Sequence, residues 1–85
     1  NMTKNLEDLA GEFIIDGINI KSRDIMAARV YFSVAWGISQ YFQNSEFIRL
    51  CERLLENTGL TKEEIKALQK YGYSLATIGY SLRQV

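Results

Sequence analysis

From residue 25 to residue 42 the chain is apolar at nearly every position, reading Ile25, Met26, Ala27, Ala28, Arg29, Val30, Tyr31, Phe32, Ser33, Val34, Ala35, Trp36, Gly37, Ile38, Ser39, Gln40, Tyr41, Phe42. On a 3.6-residue period, Arg29, Ser33, Gly37 and Gln40 form one narrow polar or small stripe, and most of the remaining circumference is apolar. Such a helix needs neighbours on most sides. The pattern therefore predicts a central apolar helix over about 23–42, with Ser22 as its cap and Asp24 in its first turn. The stretch is close to the minimum length for crossing a bilayer, but a central arginine such as Arg29 costs roughly 2.5–3.5 kcal/mol there. A buried core helix is expected, and no membrane span.

Before it, Leu6, Leu9, Ala10, Phe13 and Ile14 line one face of a first helix over 5–15. Asn5 can cap this helix, Glu7 and Asp8 suit its positive end, and Gly17 can stop it in a left-handed turn. A rival reading places Asp16-Gly17 between two β-prone runs over 12–21, which is a type I′ hairpin signal. Such a two-stranded hairpin is marginal in water without cover, which favours helix and loop. After the central stretch, Phe47, Ile48, Cys51, Leu54 and Leu55 fall at i, i+1, i+4, i+7 and i+8. They define a third helix with Glu46, Arg49, Glu52, Arg53 and Glu56 toward water. Asn44 or Ser45 caps it, and Gly59 closes it.

Thr61-Lys62-Glu63-Glu64 is a capping box, and Leu60 and Ile65 stand at the positions of a hydrophobic staple. A helix therefore starts at Lys62. Beyond it, Ile65, Leu68, Gly72, Leu75, Gly79 and Leu82 step by three and four, and Gly72-Tyr-Ser-Leu75 recurs as Gly79-Tyr-Ser-Leu82. Each glycine costs about 1 kcal/mol against alanine inside a helix. One remedy is close approach to a partner helix. The other is a break after Tyr71, with Ser74 capping a short last helix to about Arg83, and glycine's cost favours this break. With a break, residues 66–78 read as helix, then Gly-aromatic-Ser-Leu-x-x-Ile. This corner resembles those of helix-turn-helix regulators, including mercury-resistance-type ones, and implies a helix-turn-helix-like corner at 62–83. The expected fold is all-α: one domain, 1–85, forming a compact bundle of four to five helices.

Composition narrows the chemistry. Ten basic and ten acidic residues cancel, so no global charge attracts a polyanion. There is no histidine and one cysteine, Cys51, which reads as a small buried apolar residue. Zinc sites of the usual Cys/His kind and Ser-His-Asp or Cys-His catalysis have no material, no cofactor is called for, and an enzyme is not expected. A polar N-terminus and a lone cysteine suit a cytoplasmic setting.

Two charged ridges remain. Asp8, Glu12 and Asp16 share one face at i, i+4, i+8, and a solvated acidic surface is a better reading than an acid–base pair. Lys62, Lys66 and Lys70 repeat at the same spacing, a like-charge arrangement that disfavours an isolated helix by about 0.2–0.5 kcal/mol per pair. That ridge is either a solvated face or a contact for an anionic partner. The partner could be the acidic ridge of the same or a second chain, or a phosphate backbone met together with Arg83.

Ser33 and Gly37 would let another helix approach closely, and with Gly72, Leu75, Gly79 and Leu82 they are the expected interface of a homodimer. The function expected is a small protein-interaction or regulatory domain acting through helix faces on itself or another protein. The alternative is a DNA-binding regulator whose Lys62, Lys66, Lys70 and Arg83 contact phosphates.

Overall fold

The computed structural model describes residues 5–83, with side chains as far as Ile78. Four helices follow one another: α1 (Leu6–Ile20), α2 (Ile25–Tyr41), α3 (Ser45–Glu56) and α4 (Lys62–Arg83). No strand occurs among the described residues, so the hairpin over 12–21 is not formed. The connections are short and each is fixed by local chemistry.

The Asn5 side chain accepts from the Glu7 amide at 2.9 Å and starts α1. The helix does not stop at Gly17. It runs on to Ile20, because Gly17 is buried against Phe32, where an added Cβ would sit 2.5 Å from the ring edge. The glycine is a packing notch, not a stop. The cap of α2 is Asp24 instead of Ser22: its carboxylate accepts from the Ala27 amide at 3.0 Å. Gln43, with φ 58°, turns the chain after α2, and Asn44 caps α3 by accepting from the Phe47 amide at 3.1 Å. Gly59 takes φ 82°, the left-handed conformation that glycine adopts without a Cβ penalty. The capping box then forms as expected. The Thr61 amide donates to Glu64 Oε1 at 3.0 Å, and the Glu64 amide donates to Thr61 Oγ1 at 3.2 Å. The Thr61 amide, and after it the Thr61 hydroxyl, which also donates to Glu64 Oε1, hold the exposed Glu64 carboxyl below its ordinary value.

Helix α2 lies against each of the other three, which touch one another only sparsely. One cluster joins Ala35 and Ile38 of α2 to Leu6, Ala10 and Ile14 of α1, with Cys51 and Ala76 beside them. A second joins Ala28 and Phe32 to Leu55 and Ile65. The expectation of a central apolar helix covered on most sides is not confirmed. Met26 is 64 % exposed, and Ile25, Val30 and Tyr41 also reach the surface. No helix among the described residues is long and apolar enough to cross a membrane.

The largest departure concerns α4, which is unbroken from Lys62 to Arg83. Neither a fifth helix nor a corner at Gly72 is formed among the described residues. The reason is a long-range contact: Gly72 lies against the backbone of Ser33, and Gly37 against the backbone of Gly72 and Tyr73. A Cβ at either glycine would overlap a main-chain atom of the other helix. The local cost of each glycine, about 1 kcal/mol, is thus offset by an approach that no other residue permits.

Candidate functional site

The polar stripe of α2 turns out to be the track on which α4 and its preceding loop are seated. Arg29 Nη2 donates to the Thr58 carbonyl at 2.7 Å, tying the α3–α4 loop to α2. One turn on, Ser33 Oγ donates to the Leu68 carbonyl, and one further turn on Gly37 meets Gly72. The paired positions advance together, so α2 and α4 run in the same direction where they touch. Ser33, Gly37 and Gly72 are buried in this crossing, and Leu75 is half-buried. These residues, expected to face a second chain, instead face one another within one chain. The side chains of Gly79, Leu82 and Arg83 lie outside the described residues.

The other side of α4 is different. Helices α3 and α4 both rest on α2 but leave a gap between them, in which a cleft of about 380 Å³ opens; a second cleft of about 740 Å³ adjoins it, between α4 and Trp36 of α2. They share Lys66 and Gln69. The first lies over Ile65, with Arg49, Arg53 and Lys62 on its sides. The second is walled by Trp36, Ala67 and Tyr73, with Lys70 at its edge. Trp36 Nε1 donates to Glu52 Oε2 at 3.1 Å, so α3 fixes the indole that walls the second cleft.

All three lysines of the ridge therefore line the two adjoining clefts, and Lys62 and Lys66 stand across the first from two arginines of α3. The sequence places Arg49, Glu52 and Arg53 toward water, and the two arginines are exposed, but it does not bring them or Trp36 to the lysine ridge. Their convergence depends on where α3 lies relative to α4, which no local pattern encodes. The groove is not uniformly positive, since Glu52, Glu56 and Glu63 alternate with the cations. Apolar walls with mixed but net positive rims suit a ligand that is itself amphipathic and acidic.

The acidic ridge lies elsewhere. Asp8 and Asp16 are exposed on α1 and Glu12 is half-buried; Asp8 and Glu7 line a separate cleft of about 330 Å³ shared with Asn44 and Phe47. Among the described residues no three His, Cys, Asp or Glu side chains come together as a metal site. The Cys51 thiol is buried, and desolvation, followed by the nearby Glu52 carboxylate, pushes it up to about 12. A thiol held protonated in this way is a poor nucleophile. Comparison with known protein families, curated proteins and solved structures finds no match for this chain.

Proposed function

We propose that this chain is a helix-face protein-interaction module whose α3–α4 groove takes an acidic amphipathic helix. The observation carrying this reading is the groove itself. Two helices sit on a common third without closing on each other, and the cleft left between them, with the one adjoining it along α4, is rimmed by Arg49, Arg53, Lys62, Lys66 and Lys70. An apolar ridge on a bound helix would lie along Trp36, Ala67 and Tyr73, and its flanking carboxylates would meet the lysines and arginines. In this reading α2 serves as the core helix on which both walls of the site are mounted. A regulatory role and a cytoplasmic location belong to the same proposal, and a buried lone thiol is compatible with a reducing compartment.

The DNA-binding alternative loses its main support with the corner at 62–83. A continuous α4 presents Lys62, Lys66 and Lys70 beside Glu63, and across from Glu52 and Glu56, so a phosphate backbone would meet carboxylates as well as cations.

Trp36 is the only tryptophan, so its emission reports occupancy of the groove. Titration with a synthetic helical peptide carrying leucines on one face and glutamates beside them should shift Trp36 emission saturably. The K66E/K70E variant should abolish the shift while unfolding within about 0.5 kcal/mol of the parent, as exposed substitutions do. An unchanged emission, or a shift that survives K66E/K70E, would refute the reading. A stronger, steeply salt-dependent response to duplex DNA than to the peptide would replace it with the nucleic-acid alternative.

A further inference from the structure

Helix α1 carries on its outer surface the kind of ligand the groove suits. Between Leu6 and Ile20 it has Glu7, Asp8, Glu12 and Asp16 and no basic residue. Its buried positions, Leu6, Ala10, Ile14 and Gly17, face α2. Its exposed positions are Asp8, Ile15, Asp16, Ile18 and Asn19. Ile15 is 59 % exposed and Ile18 50 %, an apolar pair set among carboxylates. Ile15, Asp16, Ile18 and Asn19 are turned to solvent, while Asp8 borders the cleft shared with Asn44 and Phe47, and none of the five lines the α3–α4 groove of its own chain.

We infer that the occupant of the groove is α1 of a second copy of this chain, with Ile15 and Ile18 against the apolar walls and Asp8 and Asp16, two turns apart, spanning the ridge of Lys62, Lys66 and Lys70. This rests on the groove being a docking site for an acidic helix, as proposed above. Charge complementarity selects the occupant. The chain is neutral as a whole, yet α1 is purely acidic and the groove rims carry five cations against three carboxylates. Opposite patches on a neutral molecule favour association with itself. Reciprocal exchange, each α1 in the other chain's groove, closes as a two-fold dimer and leaves neither patch open.

Sedimentation of the full chain tests this. At about 50 mM salt a species of twice the 9.8 kDa chain mass is expected, with a dissociation constant weakened at least tenfold at about 500 mM. K66E/K70E and D8K/D16K should each be monomeric. Mixed one to one they should form a heterodimer, because the reversed α1 now meets the reversed groove while the two unaltered surfaces still match. A parent chain monomeric at low salt, a dimer indifferent to both pairs of substitutions, or a mixture that stays monomeric would overturn the inference. The peptide titration separates the two levels. If the acidic peptide still moves Trp36 emission in a monomeric parent chain, the groove reading stands and only the identity of its occupant fails.

Discussion

Against α2, α4 comes so close that neither Gly37 nor Gly72 has room for a methyl group, whereas against α3 it stands back far enough to leave a cleft of about 380 Å³. One helix thus has a face joined backbone to backbone with its neighbour and a face on which charged and aromatic side chains wait on either side of a gap. The difference follows from residue size and charge. Ser33, Gly37 and Gly72 are small enough for the main chains to touch, and Ser33 adds a hydrogen bond to the Leu68 carbonyl. Toward α3, Lys62 and Lys66 stand across from Arg49, Glu52, Arg53 and Glu56, long charged side chains that border a cleft in place of small residues that would close it. A module of this kind keeps its fold on one side of α4 and offers its binding surface on the other.

The most disruptive way to break this contrast is to fill the tight side. Gly37→Val would drive two methyl groups into the Gly72 carbonyl and the Tyr73 amide, neither of which can move without displacing α4. A loss of about 3 kcal/mol or more is expected, read as a fall in the urea midpoint. Next in size is the anchor at the start of α4. Thr61→Ala removes the cap that accepts from the Glu64 amide and should cost about 1 kcal/mol, with the first turn of α4 exchanging its amide protons faster.

A further effect appears only at alkaline pH and lies in the core around Cys51. Cys51 is raised from 9.0 to about 12, so above pH 9.0 the unfolded chain releases a proton that the folded chain keeps. The corresponding stability is fully present below pH 9.0 and is lost as pH climbs toward about 12. The stability difference between the parent and Cys51→Ala should therefore shrink with rising pH, and the thiol should react with thiol reagents only as fast as the chain opens.

What the sequence made legible divides along the same line. Features set within one turn of helix were readable: the Asn5 and Asn44 caps, the left-handed Gly59, the Thr61/Glu64 box and the buried face of α3 around Cys51 and Leu55. Gly17 and Gly72 were misread as stops for one shared reason. A glycine's cost is paid locally, but its compensation sits far along the chain, at Phe32 for one and at Ser33 and Gly37 for the other. The spacing of Ser33 and Gly37 did signal close approach; what it lacked was the identity of the approaching helix, which is α4 of the same chain. Of the candidate site, the lysine ridge was visible as a ridge. Its partners Arg49, Arg53 and Trp36 were not, since they join it only once α3 and α4 are both mounted on α2.

The seating of α4 on α2 is tested most directly by urea denaturation of Gly72→Ala, because two effects there have opposite signs. As an exposed helix position, alanine would stabilise the chain by about 1 kcal/mol over glycine. At the crossing described here its Cβ overlaps the Ser33 carbonyl, an overpacking cost of about 3 kcal/mol that outweighs the gain. The account predicts a variant less stable than the parent by about 2 kcal/mol. A variant more stable than the parent would contradict it, for it would mean that α4 does not rest on Ser33 and Gly37 at all.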